Sequence, residues 1–432
     1  MRLRKLLGVG LVATMMAVGQ AGSAGADSDA EYTLEILEPG AEQIVSSGLG
    51  INDAGDAVGI TRPASSAQPQ FSAIWPAGQV EPEALPQLEG SRFSRAFDLN
   101  NDQVAVGEAF DADGATVPIR WIDGVASVGE VPQGDGRGLA ADIANNGSVV
   151  GTAARRAYLV AGGTATDLPL PDVDEGEIRS TRASAISDSS EYVVGTTQVA
   201  VPHDGHTHNE SLLTVWHQGA ATAHPSETDG LTLRVHGVND SGLVVGYVAV
   251  NRVTTAVQWR DGGMTRLGNP EAPDMPHTSA MAVNNDGVVV GNATKFADSW
   301  SFGGIAVRWI EGRPVDLNTL VDAPEGVVLQ SASDINASGQ IVGTAMTPDG
   351  QRAFRLTPVQ KDPDPSPDPT QSPDPSPSPD PTQSPEPTGS PSPTGSPTAG
   401  PTGEPSSAPS DAPDKPSPSG KPRPKGLPDT GR

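Results

Sequence analysis

Between Glu31 and Thr357 the apolar residues fall in short β-branched runs separated by clusters of Asn, Asp, Ser and Gly. Nowhere do they keep the 3.6-residue period of an amphipathic helix, so the pattern predicts strands and tight turns. The clearest unit surrounds Val238–Gly246, VNDSGLVVG. A short run, Val235–Val238, ends in Asn239, Asp240, Ser241 and Gly242, residues that tolerate turn geometry and positive φ. Leu243–Val250 follows as a second apolar run, and the pair reads as a hairpin. Thr254–Trp259 alternates as a third strand, Asp261–Gly263 turn the chain, and Met264–Leu267 make a short fourth. Four short antiparallel strands in about 45 residues are the content of one propeller blade.

The unit recurs. INDAGDAVG, LNNDQVAVG, IANNGSVVG, SDSSEYVVG, VNDSGLVVG, VNNDGVVVG and INASGQIVG end at Gly59, Gly107, Gly151, Gly195, Gly246, Gly291 and Gly343, seven copies spaced 44 to 52 residues apart. A second landmark follows most copies: Trp75, Trp121, Trp216, Trp259 and Trp309, with Val160 and Leu356 at that place in copies three and seven. The last copy has three strands and then meets proline-rich sequence, whereas Glu31–Gly40, EYTLEILEPG, looks like a fourth-strand segment. The expected fold is therefore an all-β, seven-bladed β-propeller in residues 27–360, closed by the N-terminal strand. Such closure would remove two exposed sheet edges. An open β-solenoid of the same units would instead need cap-like end repeats, and the ends do not look like caps.

Sequence outside the array adds a cellular setting. Arg2, Arg4 and Lys5, the apolar Leu6–Val18 and the small residues Ala24–Ala26 read as a secretory signal peptide over residues 1–26. The chain has no cysteine, so neither disulfides nor thiol chemistry enter the argument. Its formal net charge is −26, nearly all of it between Asp27 and Gln360, a surface that repels nucleic acid and anionic lipid. No membrane span is expected in the mature chain. Residues 361–426 are dominated by Pro, Ser, Asp, Thr and Gly and are expected to form a disordered, polyproline-rich spacer able to reach on the order of 200 Å.

Two resemblances follow from these residues. Leu427, Pro428, Asp429, Thr430 and Gly431 match the LPXTG sorting signal of Gram-positive surface proteins. The resemblance implies a sortase that cuts between Thr430 and Gly431 and joins Thr430 to peptidoglycan. Such signals continue into an apolar stretch and a basic tail, and here only Arg432 follows in 427–432. The recurring turn, strand glycine and Trp, as in VNDSGLVVG followed by AVQW, are similar to the HAF-type extracellular repeats of bacterial surface proteins. That resemblance implies no particular ligand or reaction. Copies three and four depart from it, lacking the Trp and the Asn-x-x-Gly turn respectively.

Candidate chemistry is sparse. His203, His206 and His208, in VPHDGHTHNES, are the densest metal-like cluster and would suit zinc or copper, but they sit in an insertion that lengthens copy four and is expected to be a solvated loop. Asp98, Asn100 and Asp102, with the related turns at Asn52 and Asn284, space oxygen ligands as calcium loops do, without the distal bidentate acid. Turn chemistry accounts for them without an ion. Hence no cofactor is implied, and calcium and zinc are the ions these residues would admit. The Trp residues are expected to pack between blades rather than stack on sugars. Neither a nucleophile elbow, a phosphate loop nor a His-Glu-x-x-His helix occurs. The sequence thus reads as a secreted, wall-anchored surface protein, not an enzyme, whose propeller binds an extracellular glycan or protein. The alternatives are a polysaccharide hydrolase or lyase acting in the propeller funnel, and a structural wall component.

Overall fold

A computed structural model describes residues 30–360, apart from 64–68, 133–135, 204–205, 225–231, 271, 273 and 297–302. Residues 1–26, read above as a signal peptide, the proline-rich segment 361–426 and residues 427–432, read as a sorting motif, therefore lie outside the described residues, as does the side chain of His203. Within them the chain forms seven four-stranded antiparallel sheets. The only helical element among the described residues is one 3-10 turn, Leu317–Leu320.

Six sheets are built from consecutive strands, and the seventh combines both ends of the array: Val328–Ile335, Ile341–Thr347 and Gly350–Pro358 are joined by Tyr32–Leu37. The N-terminal strand pairs with Gly350–Pro358 in register from Tyr32 opposite Pro358 to Leu37 opposite Ala353. The expected seven-bladed propeller closed by the N-terminal strand is thus the observed fold. Side chains fasten the closure on both sides. Leu37 is fully buried in an apolar cluster with Trp75 and Val342. The buried Arg355 guanidinium donates to Glu35 Oε2 at 2.8 Å, to the Gly55 carbonyl at 2.8 Å and to the Gln79 carbonyl at 3.0 Å, tying the last blade to the first. Arg308 of blade 6 reaches the Tyr32 hydroxyl at 2.9 Å.

Each blade begins with its innermost strand: Gln43–Ile51, Ser94–Leu99, Gly138–Ile143, Glu177–Ile186, Thr232–Val238, His277–Val283 and Val328–Ile335. Apolar clusters lie between blades rather than within them; the one around Val58, Leu99 and Trp121, for example, joins blades 1 and 2. The five Trp residues of the repeat landmark fill these interfaces, each no more than 5% exposed. Four of their indole N–H groups staple neighbours together: Trp75 donates to the Glu38 carbonyl, Trp121 to Pro86, Trp216 to Pro169 and Trp309 to Gly268, at 2.7 to 2.9 Å. In every case the acceptor lies just after the outer strand of the preceding blade. Packing, not sugar stacking, is their role.

Copies three and seven, which have no Trp at the second landmark, keep the common register. Val160 stands opposite Val149 and Leu356 opposite Ile341, as Trp259 stands opposite Val244. The insertion in copy four is not the loop expected from its composition. It lengthens two strands, Tyr192–His203 and His206–His217, into a hairpin with His203 opposite His206. Val199, Val201, Leu212 and Leu213 supply enough β-forming sequence to extend the ladder.

Candidate functional site

The repeat motif is explained at the central channel. In all seven inner strands the pairing with the second strand slips by one residue, leaving Leu49, Phe97, Ala141, Ser184, His236, Met281 and Ser333 unpaired as bulges. A bulge bends the strand and turns its far end toward the axis. Opposite the residue before each bulge stands the marker glycine, and an added Cβ there would lie 1.8 to 2.1 Å from an inner-strand carbonyl oxygen. Glycine is required at these seven places because backbone occupies the space of a side chain.

Beyond the bulge, the turn asparagines form a hydrogen-bonded ring. Each first-position Asn caps its own turn, as when Asn239 Oδ1 accepts from Ser241 N and Leu243 N at 3.1 and 3.0 Å. Its amide then donates to the next blade: Asn52 to the Asn100 carbonyl, Asn239 to Asn284, Asn284 to Asn336, and Asn336 back to Asn52, at 2.8 to 3.2 Å. Ala144 and Ser187 interrupt the ring in blades 3 and 4. The oxygen atoms read as possible calcium ligands are engaged here: Asn100 Oδ1 accepts from Asp102 N and Val104 N, while Asp98 Oδ2 accepts from Ile143 N of the next blade.

Asp98 belongs to a set that was not apparent as one in the sequence. Asp142 and Asp334 occupy the same repeat position, two residues before the first turn residue in DLN, DIA and DIN. Asp142 Oδ2 accepts from Ile186 N at 2.8 Å, and Asp334 Oδ2 from Ile51 N at 2.9 Å, so each carboxyl bridges to the following blade. Together with the bulge residues they line a cavity of about 180 Å³ at the acidic end of the channel. Burial, then the charge of and hydrogen bond with Asp142, then the charge of Asp334 hold the Asp98 carboxyl well above the usual carboxylate range. Burial raises Asp334 to about 8, against its two amide hydrogen bonds and with the help of the Asp142 and Asp188 charges. In the same cavity His236 Nδ1 donates to the Ala280 carbonyl at 2.9 Å, and burial brings the imidazole down to about 4.

These shifts have a sign. A carboxyl whose folded value is raised stabilises the fold below its unfolded value of about 3.9, and that contribution is lost as pH rises toward 8. His236 acts oppositely, but only below about pH 6.5. Between pH 6.5 and 8 the melting temperature is therefore expected to fall with rising pH, each carboxyl adding up to about 1.4 kcal/mol per pH unit. Calorimetry across that window on the native chain and on Asp334→Asn checks it; equal slopes in both would show that Asp334 does not titrate there.

At the other end of the inner strands the charge reverses. Arg95, Arg182 and Arg234 each occupy the position immediately before the residue paired with the marker glycine. Arg95 is neutralised by the residue facing it, Glu108, at 3.6 Å. In blades 4 and 5 the facing residues are Thr196 and Tyr247. The extended blade 4 presents Ser180, Arg182, Thr196, Gln198, Asn209 and Ser211 toward Thr232 and Arg234 of blade 5, enclosing about 420 Å³. Every lining side chain is polar and none is acidic. The Gln198 amide donates to the Ser211 hydroxyl, fixing that wall. Sequence reasoning missed this pocket, although the arginines recur at one repeat position.

Of the histidines singled out from sequence, His206 is exposed, and His208 Nε2 meets Glu210 Oε1 at 2.7 Å. Among the described residues no group of three or more His, Cys, Asp or Glu side chains is placed to hold a metal ion. Among them, too, no helix is long and apolar enough to cross a membrane.

No protein-family model matches the chain, and comparison with curated proteins gives no match. Solved structures do resemble it. A catalytically inactive virginiamycin B lyase from Staphylococcus aureus with quinupristin is 11% identical, with a TM-score of 0.45 over 76% of this chain and 100% of that one. The β-propeller domain of the Trilobed protease from Pyrococcus furiosus is 12% identical, with a TM-score of 0.41 over 64% of this chain and 84% of that one. A gluconolactonase from Xanthomonas campestris is 13% identical, with a TM-score of 0.33 over 60% and 83%. At these levels the likeness concerns fold alone.

Proposed function

We propose that this chain is an exported surface protein, attached to the wall of a Gram-positive cell, whose propeller binds an extracellular glycan. The observation that carries the binding reading is the pocket between blades 4 and 5. Its volume of about 420 Å³ falls in the range of ligand sites, roughly 300–1,000 Å³, and hydroxyl, amide and guanidinium groups alone line it. Such groups match the hydroxyl-rich surface of a sugar. The basic and apolar start of the chain, the proline-rich segment and Leu427–Gly431 support export and sortase-mediated joining of Thr430 to peptidoglycan, and the turn, glycine and Trp of the repeats support a HAF-type extracellular array.

The hydrolase or lyase reading rests on one observation. Burial pushes Asp334 up to about 8 and holds the Asp98 carboxyl well above the usual carboxylate range, the direction that suits a general acid. Against it, their cavity of about 180 Å³ is smaller than ligand sites usually are, and the carboxyls already serve as bridges between blades.

A glycan and protein array probed with the full chain separates the readings. Glycan signals that disappear in Asn209→Ala are the expected result. Binding confined to proteins would replace the glycan with a protein ligand, and depolymerisation of a polysaccharide, lost in Asp98→Asn, would favour the enzyme. Attachment is checked by the mass of the C-terminal peptide released from walls by muramidase, expected to end at Thr430 with a cross-bridge fragment; a free peptide in the medium extending beyond Thr430 opposes it.

A further inference from the structure

We infer that the pocket between blades 4 and 5 recognises an anionic group, a sulfate or carboxylate carried on an acidic polysaccharide. This rests on the glycan reading above and specifies its chemistry. The chain is strongly acidic, and acids neighbour most of its buried or half-buried arginines: Arg355 meets Glu35, Arg308 meets Glu31, Arg352 meets Glu38 and Arg120 meets Glu130. Arg182 and Arg234 are instead exposed, and they stand on adjacent blades. Among the described residues neither makes an ion pair, and both open into one pocket that contains no carboxylate.

Blade 2 supplies the internal control. There the same repeat position carries Arg95, and the second strand places Glu108 directly opposite, so that the charge is neutralised within the protein. Blade 4 keeps the arginine and has Thr196 at the facing place; blade 5 keeps it and has Tyr247. Two guanidiniums on adjacent blades are thereby left to a ligand. Guanidinium forks match the planar carboxylate and the tetrahedral sulfate, with two parallel N–H donors each. Thr196, Gln198, Asn209 and Thr232 then surround the anion with hydroxyl and amide groups suited to the neighbouring sugar hydroxyls. The blade 4 extension contributes part of this wall, since Asn209 and Ser211 lie on the lengthened third strand. The acidic surface elsewhere would repel a polyanion, which confines its binding to this pocket.

The test titrates the full chain with an oligogalacturonate, a sulfated galactan oligosaccharide, a neutral galactan oligosaccharide and inorganic sulfate, at low and raised salt. One or both acidic oligosaccharides are expected to bind more tightly than the neutral one, with affinity that falls as salt rises. Arg182→Gln and Arg234→Gln are each expected to weaken that binding roughly tenfold or more. Thr196→Glu, which copies the blade 2 arrangement and leaves both arginines in place, is expected to abolish it. Arg182 and Arg234 are exposed, whereas Thr196 is buried in the pocket wall, so an unchanged melting temperature is required of Thr196→Glu before its loss of binding counts. Neutral oligosaccharide bound as tightly as the acidic ones, and indifferent to these substitutions, overturns the anionic inference while leaving a glycan-binding propeller. Sulfate binding that depends on both arginines, with no oligosaccharide bound, keeps the anion site and removes the glycan. Absence of binding by all four probes overturns both.

Discussion

Deletion of Glu31–Pro39 is expected to lower the melting temperature of the entire propeller, not to fray one blade. The strand Tyr32–Leu37 is the outer member of the last sheet, and its loss exposes the edge of Gly350–Pro358. It also removes Leu37 and Tyr32 from buried positions, and with them the partly buried Leu34 and Ile36. At about 1.5–3 kcal/mol for each fully buried large side chain, the apolar loss alone is about 5 kcal/mol. A further cost comes from Arg355, which stays buried among the carbonyls of Gly55 and Gln79 without the Glu35 carboxylate that balances it. In a ring every blade has two neighbours, so loosening the contact between the seventh and the first blade weakens the whole cooperative unit. Melting by calorimetry is expected to drop by about 10 °C or more in one transition. An unchanged midpoint, or a small early transition followed by the native one, would show that the ring does not depend on this closure. A peptide spanning Glu31–Pro39, added in trans, is expected to restore part of the loss.

Closure of this kind was legible from residues far apart in the chain because each signal is local. EYTLEILEPG announces a strand and a turn, and the last copy announces three strands without a fourth; pairing them needed only the count. The register of copies three and seven was legible for the same reason, since Val160 and Leu356 stand at the place of the Trp in an unbroken period. What the sequence did not disclose depends on contacts between copies. Read along the chain, the recurrent strand glycine is only a marker of the repeat, whereas its cause is the carbonyl of the neighbouring strand. Asp98 was visible only as a member of a turn, because its meaning comes from Ile143 N one blade away. The histidine-rich insertion looked like a loop by composition, and its pairing into a hairpin comes from the strand against which it extends. The arginine pocket was the least accessible of all. It requires Arg182, from the fourth copy, and Arg234, from the fifth, to face one space, and the absence of a facing Glu matters only once blade 2 is set beside them.

Replacing a marker glycine by alanine is the second large effect, and it tests the bulge directly. In Gly246→Ala the new Cβ would lie 2.0 Å from the Arg234 carbonyl oxygen, 3.0 Å from its carbon and 3.1 Å from the Val235 Cα. All three neighbours are backbone atoms of the inner strand, so no side chain can rotate away to make room. Relief requires either that the inner strand move toward the channel or that the bulge at His236 be expelled. Moving the strand strains the amide bridge from Asn239 to Asn284. Expelling the bulge slips the register by one residue and turns every later side chain of that strand to the wrong face. Overpacking in a well-packed interior costs about 1–3 kcal/mol and occasionally more, and a clash confined to backbone belongs at the upper end. A loss of about 3 kcal/mol and a fall of roughly 6 °C in melting temperature are expected for this one methyl group. Gly263→Ala is the matched control, because its Cβ would meet only the Arg260 carbonyl, at an ordinary 3.5 Å. That variant is expected to stay within about 0.5 kcal/mol of the native chain, as surface substitutions usually do. Equal melting temperatures for the two variants would mean that the bulged strand yields freely. In that case neither the glycine nor the bulge would be what holds the acidic end of the channel in place.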